Sequence, residues 1–309
     1  MDAKAATKAF LNRHGMSSDA VELDSSLAEF RRQMTAGLKG EASSLMMIPT
    51  YIGQAAPGAQ RRVLALDAGG TNFRVAVVAF GPTGEPSIEY LDKRPMPGSR
   101  GKLTLAEFFS AVVDALLPVA DASDTVGFCF SFPAEILPNK EGKILCFNKE
   151  IQIEGAEGAL LGEGINAELL RRGLAPKRFA LLNDTVATLL CGMSGDVSRN
   201  DGYVGYILGT GTNTAYMEHG SAIEKLGSPA GEMIINMESG GYDGFAQGRF
   251  DRELDEASEV PGDHKMEKMI SGAYQGDLIF RTVRGAVNEG LFSPDFARRF
   301  AAGGRVFDH

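Results

Sequence analysis

Two short turns rich in glycine and threonine carry the plainest chemical meaning in this chain: Asp67-Ala68-Gly69-Gly70-Thr71-Asn72 and Gly209-Thr210-Gly211-Thr212-Asn213. Each follows an apolar run (Leu64 to Leu66; Tyr206 to Leu208) and precedes another (Val75 to Phe80; Ala215 to Met217). The pattern predicts two β-hairpins whose tips carry exposed backbone N–H groups. Glycine permits φ > 0 and a close approach of backbone to ligand. Successive N–H groups in such a turn form an anion-binding concavity. Two such tips facing each other would hold a polyphosphate between two lobes, as in a nucleotide-dependent enzyme.

A second group of polar residues suits a polyhydroxylated ligand. In Leu181-Leu182-Asn183-Asp184-Thr185 a polar triplet stands at the carboxyl end of an apolar strand and opens a helix, the end of the sheet where α/β folds gather ligands. A carboxylate there can take a proton from a substrate hydroxyl as general base. The competing reading is that Asp184 or Thr185 only caps the helix. Ser131, Asn148, Lys149, Asn183, Asn213, Glu238 and Glu267 also lie near strand ends or polar turns. Together they supply the paired donors and acceptors that a sugar needs in a narrow pocket. Taken alone, Glu267 reads as a solvated helix face and His264 as a surface or capping residue.

The elements that must position these groups are visible in the spacing of apolar residues. Residues 1–61 read as mostly helical, with Leu27, Phe30, Met34 and Leu38 on one stripe and capping-box spacing at Ser26-Leu27-Ala28-Glu29. The helical part closes in a loop from Met46 to Tyr51. From Arg62 the order is β-β-β-α-β-α-β, with helices over 105–120 and 160–172 and buried strands over 125–132 and 179–182; it begins again at Tyr203. This duplication predicts an α/β fold of two lobes, each a mixed sheet flanked by helices, with a cleft between them. The division expected is 1–61 as the helical part of the large lobe, 62–184 as the small lobe and 185–309 as the rest of the large lobe.

The 309 residues fit two such lobes, and 44% hydrophobic with 23% charged residues is ordinary globular composition. A net charge of −9 without a basic block argues against nucleic acid or an anionic membrane as partner. An anionic cosubstrate would need a metal ion and backbone dipoles beside it. Cys129, Cys146 and Cys191, without CxxC spacing, read as buried free thiols of a reducing cytoplasm. No run approaches the length of a bilayer span, so the location expected is cytoplasmic.

With these segments quoted, the chain resembles the hexokinase family. Asp67 to Arg74 is similar to its first phosphate motif, Gly209 to Asn213 to its second, and Phe128-Cys129-Phe130-Ser131-Phe132-Pro133 to its sugar loop. Leu182 to Thr188, Ile235-Asn236-Met237-Glu238 and Pro261 to Gly272 resemble later motifs in the same order. The resemblance runs from about residue 25 to the end. It implies a ribonuclease-H-like (actin/hexokinase-type) fold and ATP-dependent phosphorylation of a hexose, glucose foremost, on its 6-hydroxyl. By the same resemblance Asp184 is the general base and Lys149 polarises the reacting oxygens. Ser131, Asn148, Asn183, Asn213, Glu238 and Glu267 bind the sugar. Asp67 places Mg²⁺ through water, while Gly69, Gly70, Thr71, Asn72 and Gly209, Thr210, Gly211, Thr212 cradle the ATP phosphates. Arg74 reads as support for the first turn. The protein is expected as a monomer or homodimer.

Three departures stand against the family pattern. Thr-Lys-Gly-Phe is replaced by Asn148-Lys149-Glu150-Ile151, and the Trp-Gly after the sugar-binding glutamate by Ser239-Gly240. The chain stops at Phe307-Asp308-His309, before the family's adenosine-binding segment. The expectation is therefore a fragment or short form without an adenine pocket, whose large lobe exposes part of its core. Two other functions compete: a hexose-binding sensor that does not turn over, and an actin- or chaperone-like ATPase, which the Ser-Phe-Pro and Asn-Asp-Thr segments disfavour.

Overall fold

A computed structural model describes residues 2–53, 61–82, 84–147, 151–194 and 200–303. After α1 (Ala3–Arg13) and α2 (Leu23–Lys39) come β1 (Ile48–Pro49), β2 (Arg61–Ala68), β3 (Asn72–Phe80), β4 (Pro86–Pro95) and β5 (Leu103–Thr104). Next are α3 (Leu105–Leu116), β6 (Thr125–Phe130), β7 (Ala134–Ile136), β8 (Gly142–Ile144), β9 (Ile153–Glu154), α4 (Leu161–Arg171) and β10 (Arg178–Leu182). The remainder is α5 (Asp184–Gly192), β11 (Val204–Leu208), β12 (Thr212–His219), β13 (Glu232–Asn236), α6 (Arg249–Glu256), α7 (Lys265–Ile270), α8 (Gly272–Asn288) and α9 (Pro294–Ala302).

The first sheet has the order β10-β6-β2-β3-β4. Strands β2, β3 and β4 form an antiparallel meander, and β6 and β10 run parallel to β2. Leu64, Leu66, Val75, Val126 and Phe128 alternate with less buried neighbours and meet Phe108 and Val112 of α3 in one core. Helix α3 is held at its start by a capping box between Thr104 and Glu107. Register decides what this sheet presents at its carboxyl edge. Asp67, Cys129 and Leu182 stand in one row, so Gly69, Ser131 and Asp184 each lie two residues beyond that row.

The second sheet has the order β1-β13-β12-β11, antiparallel throughout. Its core joins Leu38, Leu45, Met47, Ile235 and Tyr242. Helix α5 leaves the carboxyl end of β10 yet packs on the second sheet, through Val186 and Leu189 against Ala215 and Ile234. Gly205 of β11 makes that approach possible. A Cβ there would stand 2.6 Å from the Thr185 carbonyl oxygen and 2.9 Å from the Leu189 nitrogen.

Several expectations change. Helix α2 starts at Leu23 with Glu22 as its cap residue, one turn before the anticipated Ser26 cap, and Glu29 instead accepts bonds from Arg32 and Gln33. The loop after α2 contains a strand, Ile48–Pro49, paired with Ile235 and Asn236. The helix expected over 105–120 is α-helical only to Leu116; Pro118 opens a 3₁₀ turn from Leu117 to Ala122 because its ring removes an N–H donor. All three cysteines are free, but only Cys129 is partly buried; Cys146 and Cys191 are exposed. Among the described residues no helix is long and apolar enough to cross a membrane.

Candidate active site

Both turns are hairpin tips. Ala68 pairs with Phe73 and Leu208 with Thr212. In the first tip the Gly69 N–H donates to the Asn72 carbonyl (3.0 Å); in the second, the Gly209 N–H donates to the Gly211 carbonyl (2.9 Å). The first amides of α8 brace the second tip, Gly272 N–H donating to Gly209 O (2.7 Å) and Ala273 N–H to Thr210 O (3.1 Å). None of Gly69, Gly70, Gly209 and Gly211 has φ > 0, so the expectation that glycine serves here for left-handed backbone is corrected. Space is the reason instead. A Cβ on Gly70 or Gly209 would meet nothing within 4 Å, leaving room for a ligand to approach the backbone.

Asn183 caps α5, its Oδ1 accepting the Thr185 N–H at 2.8 Å, and Asp184 Oδ1 accepts the same N–H at 2.8 Å. The cap role thus falls chiefly to Asn183, and Asp184, half-buried, keeps its other carboxylate oxygen clear of hydrogen bonds from the described residues. Asp67 is ion-paired with Arg74 across the β2–β3 register, in line with Arg74 as support for the turn. Between the two carboxylates lies Cys129. Burial pushes its thiol far up, and the charges of Asp67 and Asp184 add to this. The thiol also hydrogen-bonds Asp67 and Ser131. The local field at this thiol is therefore negative. No group of three or more His, Cys, Asp or Glu converges as a metal site among the described residues. A hard cation such as Mg²⁺, which keeps several waters and binds through one or two carboxylates plus substrate phosphates, fits Asp67 as its protein carboxylate.

A cavity of about 330 Å³ opens beside Ser131. Its polar lining is Thr50, Ser131, Asn183, Asn236, Glu238 and His264, and its apolar wall includes Phe130, Phe132 and Ile48. Phe147 buttresses that wall at ring-centroid distances of 5.7 Å from Phe130 and 4.8 Å from Phe132. Lys225 Nζ donates to the carbonyls of Met46 (3.0 Å) and Met47 (2.6 Å), clasping the segment that leads into β1.

The antiparallel register of β12 and β13 brings Asn213 and Glu238 together. Asn213 Nδ2 donates to Asn236 Oδ1 (2.8 Å) and to Glu238 Oε1 (3.2 Å), and Asn236 Nδ2 donates to Glu238 Oε1 (2.7 Å). The Thr214 and Ser239 N–H groups donate to Asn213 Oδ1. Glu238 has a left-handed backbone (φ 53°, ψ 49°), a conformation that non-glycine residues hold only when their surroundings enforce it. Burial raises its carboxyl above the ordinary glutamate value; the Asp184 charge adds to this, while Asn236 and His264 oppose it.

The structure thus brings Ser131, Asn183 and Glu238 to the cavity, with Asp184 next to Asn183 and Asn213 buried behind Glu238. Glu267 stands apart from the lining; its Oε2 accepts the Thr212 N–H of the second tip at 3.0 Å. Asn148 and Lys149, with Glu150, lie outside the described residues. Sequence reasoning missed Asn236 and Thr50 as lining residues and read His264 only as surface or cap. His264 does occupy the N-cap position of α7, but it also faces the cavity. Asn236 ends β13 two residues before Glu238, and that spacing was the available signal.

Two family models, each described as hexokinase, match residues 8–193 and 203–305. Hexokinase-3 of Mus musculus is 36% identical over 282 residues, covering 85% of this chain and 30% of the mouse protein. Hexokinase-1 of Spinacia oleracea is 36% identical over 270 residues, covering 81% of this chain and 54% of its own length. The chain therefore spans less than a third of the mouse protein and about half of the spinach one. A solved hexokinase from Schistosoma mansoni, complexed with glucose, superposes with TM-score 0.72 at 28% identity, covering 94% of this chain and 69% of that one. A second hexokinase crystal structure shares the fold at TM-score 0.76 and 22% identity. The motif order, the duplicated two-sheet fold and these matches together place the chain in the hexokinase family.

Proposed function

We propose that this protein transfers the γ-phosphoryl group of ATP to the 6-hydroxyl of a hexose such as glucose, in the cytoplasm. The observation that carries the reading is the junction of β10 with α5, where Asn183 lines a polar cavity and Asp184 stands beside it over the cleft floor. Asn183, Ser131, Asn236 and Glu238 orient the sugar by hydrogen bonds, and Asn213 holds the Glu238 carboxylate in place from behind. Asp184 accepts the proton of the attacking hydroxyl. Those backbone N–H groups of the two tips that make no bond within the protein meet the phosphates, and Mg²⁺, held near Asp67, would neutralise phosphate charge. Phosphoryl transfer asks for positioning and charge stabilisation more than for covalent work by the protein. Lys149, carried over from the family motif, would polarise the reacting oxygens. Closure of the cleft over the sugar would exclude water and limit wasteful hydrolysis.

The test is ADP formation with Mg²⁺-ATP across a panel of hexoses. Turnover should depend on a hexose, and Asp184→Asn should lower it by about 10²–10⁴-fold, the range for loss of a general base, while sugar binding persists. Unchanged turnover in that variant removes Asp184 from the role. A second reading, a hexose-binding homologue that does not turn over, draws support from the departures Asn148-Lys149-Glu150-Ile151 and Ser239-Gly240 within the sugar-binding motifs. Hexose binding without any ADP release would favour it.

A further inference from the structure

Away from the cavity lies a buried ion pair that the catalytic reading leaves unused. Lys268 of α7 and Asp255 of α6 have side chains only 3% and 10% exposed. Lys268 Nζ donates to Asp255 Oδ1 (2.6 Å) and to the Val260 carbonyl (2.6 Å), and the Gly262 N–H donates to both Asp255 oxygens (3.1 Å each). Burial opposes the Asp255 charge, but Lys268 and the Gly262 amide outweigh it and hold the carboxyl below its ordinary value. These bonds tie the end of α6, the loop over 257–264 and the middle of α7 into one unit. Within the loop Gly262 and His264 both have φ > 0, at 86° and 49°.

Helix α7 has six residues, too few to sustain itself without tertiary support. It nevertheless touches three parts of the site. His264, its N-cap residue, lines the cavity. The Met266 N–H donates to the Tyr242 carbonyl (3.1 Å), in the turn that follows Glu238. The Glu267 carboxylate accepts the Thr212 N–H of the second tip and lies 2.7 Å from where a Cβ on Gly211 would be. A sideways shift of α7 would therefore disturb the sugar wall and the phosphate turn together.

A buried ion pair gives little net stability over apolar residues of similar volume, whereas removing one partner is costly. Fixing a register is the use such a pair serves best. We propose that Asp255 and Lys268 are positioning residues that set the register of α7, aligning the hexose cavity with the second phosphate turn. The consequence for turnover rests on the kinase reading above; the consequence for structure does not.

The experiment compares the wild type with Lys268→Met and with the double variant Asp255→Leu/Lys268→Met, which retains apolar packing and guards against simple unfolding. Amide exchange read at Thr212, with Val126 of β6 as reference, reports the register of α7, while Gly262, whose acceptor is Asp255 itself, confirms that the pair is gone. In the double variant, exchange at Thr212 and Gly262 should rise about tenfold or more through local opening, with Val126 unchanged. The hexose KM should rise and kcat fall together by up to about 10²-fold, as expected when reacting groups are misplaced by roughly an ångström. Unaltered Thr212 exchange in a folded double variant overturns the proposal, as does loss of protection equally at all three amides. A wild type without hexose-dependent ADP release counts against the kinase reading alone, because the exchange comparison still decides the register.

Discussion

Glu238 pairs two demands in one residue, a left-handed backbone and a buried carboxyl whose proton affinity is raised. Its ionised form therefore weighs against folding at pH values above the raised pKa, and this cost disappears below the ordinary carboxyl value. Glu238→Gln should accordingly increase the thermal midpoint at neutral pH and lose that advantage in acid, as read by unfolding scans across pH. The same substitution should raise the hexose KM, because a carboxylate acceptor becomes an amide. In the wild type, KM should climb as pH falls through the raised value, and the variant should lack that limb. A flat wild-type KM over this range would remove Glu238 from sugar recognition. At this scale Asn183 and Asp184 were legible, since a polar triplet ending an apolar strand can be read without coordinates. Asn213 was named among the sugar-binding candidates but not as the partner of Glu238, since the two meet through the antiparallel register of β12 and β13, and Glu267 turns to the Thr212 amide by way of a helix whose placement no local pattern encodes.

Among the elements, α5 makes the connection that matters most, leaving one sheet and packing against the other. Gly205 fixes how closely it lies, because the atoms facing its missing Cβ are the backbone of Thr185 and Leu189 rather than a flexible side-chain end. Gly205→Ala should destabilise the protein by about 1–3 kcal/mol, the range for overpacking, in urea titrations. It should also lower turnover more than hexose affinity by tilting the first turn of α5 and with it Asp184. Normal kcat in a destabilised variant would separate the helix position from catalysis. The hairpins and the β-β-β-α-β-α-β order of the first sheet were readable from alternation and glycine punctuation, but its expected repetition from Tyr203 does not occur: after β13 only helices follow among the described residues, and the second sheet is antiparallel rather than mixed. The β1 strand was not, since its two residues become a strand only by pairing with Ile235 and Asn236, far along the chain. The start of α2 was misplaced because Ser26 has cap chemistry, while the first turn forms earlier at Leu23.

For the molecule as a whole, the two sheets differ in how their first strands are housed. Strand β2 lies between β3 and β6, whereas β11 has β12 as its neighbour in the sheet order and ends it. Val204, Tyr206 and Leu208 on β11 are 67%, 46% and 59% exposed. An apolar strand at a sheet edge invites pairing with another chain. Light scattering should therefore show association that grows with protein concentration, and Val204→Lys/Tyr206→Lys should suppress it without changing hexose affinity. A monodisperse wild type at high concentration would contradict this. Which strand presents an apolar edge was not evident from composition, because it follows from the sheet order. The three thiols offer a further use. Cys129 stays protonated beneath the cleft and so is a poor nucleophile, while Cys146, past the end of β8, and Cys191, near the end of α5, are open to reagents. Fluorophores or spin probes attached to these two sites would act as a molecular ruler between β8 and α5, timing any approach that added sugar provokes without engineering a single new anchor.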